Sequence, residues 1–226
     1  MVSPAALRAS STSPTAPEQP RTIRPDADPR SGRFIVLEGL AAVGKSTIAP
    51  LLAAALDAEL VETQLPEFTQ ARRYMDEQRS VNARLHFWMM ANYAVSDIVR
   101  EHLRTGRDVV IESYFYRTLA THAAMGARHL PEVDWGRAAA PNLAIELTLR
   151  EPHRQRRLAE RESGGPGHHW SELAEAGSAT LRSVYDSFDL SPVDTTGLTP
   201  EQVVGTVERL LAKPHVVTLS GVSDAC

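Results

Sequence analysis

Five short apolar runs, each separated from the next by a stretch of helical character, constrain the fold of this chain more than any other feature. They read RFIVLE (33–38), AELVE (58–62), DVVIE (108–112), LAIELTL (143–149) and SPVDTT (191–196). Between the first two, GKSTIAPLLAAAL (44–56) reads as a helix in which Pro50 removes one backbone donor. From Asn82 to Thr105, residues Leu85, Trp88, Met89, Val95, Ile98, Val99 and Leu103 recur at helical spacing, and Gly106 supplies a stop. YFYRTLATHAAMG (114–126), EPHRQRRLAERE (151–162) and residues 171–188 are further helical stretches. In TPEQVVGTVERLLA (199–212), Thr199 and Gln202 form a capping-box pattern with Pro200 at the first helical position. Strand and helix in alternation predict a parallel sheet wrapped by helices, with ligands beyond the carboxyl ends of the strands. The residues just after each strand are therefore the ones to inspect: 39–47, 62–63, 112–114, 150 and 195–198.

The loop after the first run stands out. It closes on Gly-Lys-Ser-Thr, and Lys45 is one of only two lysines, the other being Lys213; every other basic residue is Arg. Gly39-x-x-x-x-Gly44-Lys45-Ser46 satisfies the phosphate-loop pattern, between a strand and a helix as that pattern requires. Small residues let backbone N–H groups curl around phosphate oxygens, and the following helix aims its positive end at the same anion. Gly39, Ala42, Val43, Gly44, Lys45, Ser46 and Thr47 are the expected phosphate-binding positions. An ammonium fits such a nest as a point charge where a guanidinium fork does not. Lys45 is expected on the β- and γ-phosphates of ATP, and the Ser46 hydroxyl on Mg²⁺.

The remaining composition narrows the class. A chain of 226 residues suits one domain with a sizeable core. Its net charge of −4 argues against a nucleic-acid partner. The lone Cys226 permits no internal disulfide, which fits a cytoplasmic location. No apolar run approaches the ~18 residues a membrane helix needs. The first 33 residues hold six prolines among Ser, Thr and Ala. Residues 1–32 are accordingly expected to be disordered, 33–212 to form the folded domain, and 213–226 to be a tail, unless HVVTL (215–219) adds an edge strand.

FIVLEGLAAVGKST (34–47) resembles the opening of the thymidylate kinase and deoxynucleoside kinase superfamily, where a strand ending in Glu-Gly enters the loop. The resemblance runs over roughly 33–212. It takes in GRDVVIESYFYRTLA (106–120), the Arg-rich stretch after the fourth strand, and VDTTGLTPEQV (193–203). It implies a three-layer α/β/α P-loop kinase fold with a five-stranded parallel sheet and an Arg-rich lid. It further implies ATP and Mg²⁺ as cofactors, a small-molecule acceptor, no membrane partner, and room for a homodimer. The departures are informative. Thymidylate kinases carry an Asp where this chain has Ala41, an Arg where it has Ser113, and Arg-Glu-Pro where it has Val61-Glu62-Thr63. Arginines grip an acceptor that already bears a phosphate, so their absence favours a neutral hydroxyl acceptor. Trp88 and Thr118 stand about where deoxynucleoside kinases read the base with Gln and Asp, so the acceptor need not be a standard nucleoside.

Glu62 is a candidate general base for the acceptor hydroxyl, against a surface glutamate at a strand end. Glu112 is a candidate base or the holder of a Mg²⁺-bound water, against a structural bond to the loop. Arg154, Arg157 and Arg161 share a helix face and resemble lid arginines, against a solvated face pairing with Glu160 and Glu162. Arg72 and Arg73 could bind an acceptor phosphate. Phe87, Trp88 and Tyr93 are core or a stacking wall, and His168-His169 are loop residues without a third ligand. The leading expectation is an ATP-dependent kinase acting on a hydroxyl of a nucleoside-like or other small metabolite. The alternatives are a nucleoside monophosphate kinase and a non-catalytic nucleotide-binding protein.

Overall fold

The computed structural model describes residues 31–160 and 168–212. The expectations for residues 1–30 and 213–226, including the HVVTL strand, lie outside them. The chain runs β1 (Phe34–Glu38), α1 (Lys45–Leu56), β2 (Glu59–Val61), a 3-10 turn (Pro66–Phe68), α2 (Thr69–Glu77), α3 (Val81–Arg104), β3 (Val109–Glu112), α4 (Phe115–Ala124), β4 (Leu143–Thr148), α5 (Glu151–Ala159), α6 (His168–Ala176), α7 (Ser178–Asp186), β5 (Ser191–Asp194) and α8 (Pro200–Leu211).

All five strands are parallel, in the order β2-β3-β1-β4-β5. Every residue of β1 is buried, as a central strand covered on both faces demands; its sequence is therefore a continuous run and not an alternation. Two helical layers cover the sheet. In one, α1 packs on α8; in the other, α4 packs on α3, α6 and α7. The core follows, with Phe34, Ile35, Val36, Leu37, Leu52, Leu85 and Ile111 at 0% exposure. Helix α1 absorbs Pro50 without breaking, and α8 carries the full capping box at Thr199 and Gln202. Among the described residues no helix is long and apolar enough to cross a membrane.

Three expectations are corrected. Residues 171–188 are two helices and not one: they divide at Gly177, where an added Cβ would lie 2.2 Å from the Ala124 carbonyl oxygen. The joint is pressed onto the end of α4, and only a residue without a side chain fits there. His168 and His169 open α6 and are not in a loop; the His169 ring packs on Trp170 at 5.2 Å between centroids. Helix α5 ends at Ala159, so the expected run to 162 does not continue as one helix through the turn at Glu160.

Gly177→Ala should therefore lower the unfolding free energy by ~1–3 kcal/mol, the cost of forcing atoms into a filled contact. Urea unfolding of the purified variant checks this; an unchanged midpoint would mean the α4 contact is slack.

Candidate active site

The phosphate loop is built from backbone conformations that its sequence permits. Gly39 has φ 127° and an added Cβ would lie 2.3 Å from the Leu147 carbonyl oxygen; Gly44, opening α1, has φ 112°. Side chains are excluded at the first position by space and disfavoured at both by φ. Ala42 is left-handed as well, at φ 69°. Lys45 is 7% exposed and arches back over the loop, donating to Gly39 O at 2.9 Å and Leu40 O at 3.0 Å. Val43 is buried, so it offers backbone alone, and Thr47 and Ser46 are exposed at the start of α1. The Ser46 hydroxyl donates to Glu112 Oε1 at 3.0 Å, which puts a hydroxyl and a carboxylate side by side, the oxygen donors a Mg²⁺ ion takes.

Under the loop lies a residue that the sequence reading passed over. Glu38 ends β1 at 0% exposure. Its Oε1 accepts the backbone N–H of Tyr114 at 2.7 Å and of Arg117 at 3.3 Å, and its Oε2 accepts the Tyr185 hydroxyl at 3.0 Å. The available signal was a carboxylate closing an otherwise apolar, doubly covered strand, since such a group survives burial only with partners. Arg117 was missed too. Its Nη1 donates to Gly39 O at 3.0 Å.

A single cavity of about 720 Å³ connects the loop to a second wall. Gly44, Lys45 and Ser46 line one side; Glu62 and Glu112 flank it; Arg84, Trp88 and Trp170 line the other. Glu62 is exposed and stands immediately after β2, and its carboxylate makes no hydrogen bond to a described residue. Arg84 is the centre of the far wall. Its guanidinium carbon lies 5.6 Å from the Trp88 ring centroid and 5.2 Å from that of Trp170. Its Nε donates to Asp76 Oδ1 at 3.1 Å, and Nη1 meets His122 Nε2 at 3.3 Å. The carbonyl of Thr118, 2.7 Å from His122 Nδ1, can only accept, so Nδ1 carries the proton and Nε2 accepts from Arg84. Trp170 donates its indole N–H to the Asp76 carbonyl at 2.9 Å, fastening α6 to α2. Thr121 contributes a buried hydroxyl with no partner among the described residues.

The other candidates divide. Arg154 is 1% exposed and is no lid arginine. It pairs with Glu151 and Glu175, and its Nη1 reaches Ala41 O at 3.4 Å, so it ties α5 and α6 to the loop. Arg157 is exposed and hangs over the loop: a Cβ on Gly44 would lie 3.7 Å from its Nη1. Arg161 lies outside the described residues. Arg72 lines the cavity, bonded to Gln64 and 3.5 Å from Asp76, whereas Arg73 is exposed and does not line it. Of the three aromatics, Trp88 lines the cavity; Phe87 packs on Phe68; Tyr93 packs on Phe115 and accepts the Asp134 N–H.

No protein-family model matches the sequence, and no curated protein matches it. Among solved structures, the thymidylate kinase of Candida albicans superposes with a TM-score of 0.62 at 18% identity, over 80% of this chain and 91% of that one. The fold is that of a thymidylate kinase. The strand order here places the glycine loop at the centre of the sheet's carboxyl edge. The report on the Candida enzyme attributes to it a broad substrate specificity and a novel structural element.

Two buried groups of this site titrate in opposite senses. Burial pushes Glu38 from 4.5 up to about 7, against the pull of the Tyr114 N–H, Lys45, Arg117 and Tyr185. Between about 4.5 and 7 the folded state holds a proton that the unfolded chain has lost, so this contribution to stability falls as pH rises. Burial pushes His122 from 6.5 down to about 4, so there the unfolded chain binds the extra proton and stability rises with pH across that window. Glu38→Gln removes the falling contribution. Its unfolding free energy should climb more steeply than wild type between pH 4.5 and 6.5, as read from urea titrations at several pH values. Parallel pH profiles would contradict the assignment.

Proposed function

We propose that this chain is an ATP- and Mg²⁺-dependent kinase that transfers the γ-phosphate to a hydroxyl of a nucleoside-like or other small metabolite. The observation that carries the reading is the one cavity that joins Lys45 and Ser46 to the Arg84–Trp88–Trp170 wall, with Glu62 and Glu112 between them. Phosphoryl transfer needs little covalent chemistry from a protein; it needs a donor and an acceptor held in line and cations on the moving charge. The loop and Lys45 hold the donor phosphates. Ser46 and Glu112 offer Mg²⁺ its oxygens, and the ion neutralises phosphate charge when bound. Glu62, with a free carboxylate on the cavity, takes the proton of the acceptor hydroxyl. Arg157, above Gly44, adds lid charge on the donor side. The aromatic and hydrogen-bonding groups of the far wall suit a flat, polar acceptor.

A second reading, a nucleoside monophosphate kinase, draws on Arg72 and Arg84 in that wall. Charge ranks it second. Both arginines share Asp76, whose side chain is 5% exposed, and Glu62 and Glu112 add two negative charges to the same cavity. A phosphate monoester carries about −1.5 to −2 at neutral pH; of the four cations lining the cavity, Lys45 and Arg117 lie at the donor loop, and Arg72 and Arg84 already face Asp76.

Turnover measured against matched nucleosides and monophosphates tests the ranking. Lys45→Met should lower kcat by at least ~10²-fold, the loss of one preorganised electrostatic contact. Glu62→Gln should lower kcat by ~10²–10⁴-fold with ATP binding nearly unchanged. A marked preference for the monophosphate, with activity surviving Glu62→Gln, would reverse the order of the two readings.

A further inference from the structure

Two cations converge on one oxygen at the mouth of the phosphate loop. Lys45 Nζ lies 2.9 Å from Gly39 O, and Arg117 Nη1 lies 3.0 Å from the same atom. Like charges held within reach of one carbonyl repel each other; the buried Glu38 carboxylate offsets part of that repulsion from beneath the loop, and an anion on the cavity side that touches both offsets more. The other arginines of the cavity wall are already matched: Arg84 and Arg72 face Asp76. The guanidinium of Arg117 makes no direct ion pair with a described carboxylate; it donates to the Gly39 carbonyl, lies beside the Tyr185 hydroxyl and feels the buried Glu38 carboxylate beneath the loop. It is half-buried and lines the cavity between the loop and the Thr118–His122 stretch of α4.

The backbone around Arg117 is built to put it there. Ser113 sits at φ 70°, in the left-handed region, and its N–H donates to Leu37 O at 2.9 Å. A non-glycine residue held in that region costs on the order of 1–3 kcal/mol, and such strain gathers at functional sites. The kink ends β3 and starts α4 at once, so α4 opens directly over β1. There Glu38 takes the N–H groups of Tyr114 and Arg117 and fixes the first turn. A brace for the Gly39 carbonyl does not account for this construction, because Lys45 already supplies one and a neutral donor would serve.

We propose that Arg117 is a catalytic residue of the kinase reading given above, placing its guanidinium against the transferring phosphoryl group opposite Lys45, with Ser113 and Glu38 as its positioning residues. The acceptor oxygen attacks the γ-phosphorus and its proton passes to the Glu62 carboxylate. The new P–O bond forms as the bond from phosphorus to the β–γ bridging oxygen breaks, and ADP departs with that electron pair. Lys45 and Arg117 flank the charge that develops on the γ-oxygens, and a guanidinium spans two of those oxygens where an ammonium meets one.

The test is steady-state kinetics of wild type, Arg117→Ala and Arg117→Lys with Mg·ATP and the best acceptor from the nucleoside panel, alongside melting temperatures. Arg117→Ala should lose ~10²–10³-fold in kcat with little change in the KM for ATP. Guanidinium chloride added at millimolar concentration should restore part of that rate, and ammonium chloride should not. Arg117→Lys keeps a donor for Gly39 O but loses the planar fork; it should still lose at least ~10-fold in kcat, and it serves if the alanine variant does not fold. Undiminished kcat in either folded variant would overturn the assignment, as would a loss in the alanine variant that guanidinium leaves unrestored. A wild-type protein that turns over no acceptor would bring down the kinase reading itself, a result distinct from these.

Discussion

The carboxylate of Glu38 is the tie on which the site depends. It sits at the end of the central strand, wholly out of water, and is held by the first turn of α4 and by Tyr185 of α7. A buried carboxylate deprived of a partner costs several kcal/mol, so strand, loop and both helices are locked to a common geometry. The tie reaches further through Gly39, whose N–H meets the Tyr185 oxygen and whose carbonyl takes Lys45 and Arg117. With β1 flanked by β3 and β4, every group that follows those strands arrives at the same edge of the sheet.

A second, more peripheral set of ionic contacts organises the α5–α6 side. Arg154, placed on the sequence as a candidate for phosphate charge, is consumed by Glu151 and Glu175 and steadies the loop from outside through Ala41. The division of labour among the arginines is thus spatial. Those on short tethers to acidic neighbours shape the scaffold; Arg117 and Arg157 lie against the loop itself.

Much of this was legible before any coordinates. The strands were plain because a doubly covered parallel strand is written as an unbroken apolar run, and α3 because seven apolar residues keep helical spacing. The loop was legible because its chemistry is local: glycines, lysine and hydroxyl within eight residues. What escaped depends on distant partners. The break at Gly177 is dictated by Ala124, and the burial of Arg154 by Glu175. Arg84 gains its place from Asp76, Trp170 and His122, none of which adjoins it in sequence. Arg117 belongs to the site only because Ser113 takes a left-handed turn, which a serine does not advertise. Periodicity records which face is covered; it carries no word of which residue covers it.

The packing of Arg84 between Trp88 and Trp170 has an optical consequence. The chain has three tryptophans, and two of them share this one guanidinium on the wall of the cavity. The third, Trp135, packs among Tyr114, Phe115 and Tyr116 and does not line the cavity. A molecule that enters the cavity and shifts Arg84 alters the polarity and the charge felt by both indoles at once. Two of the three indoles thereby report on that wall, and occupancy of the cavity can be followed in real time without a label.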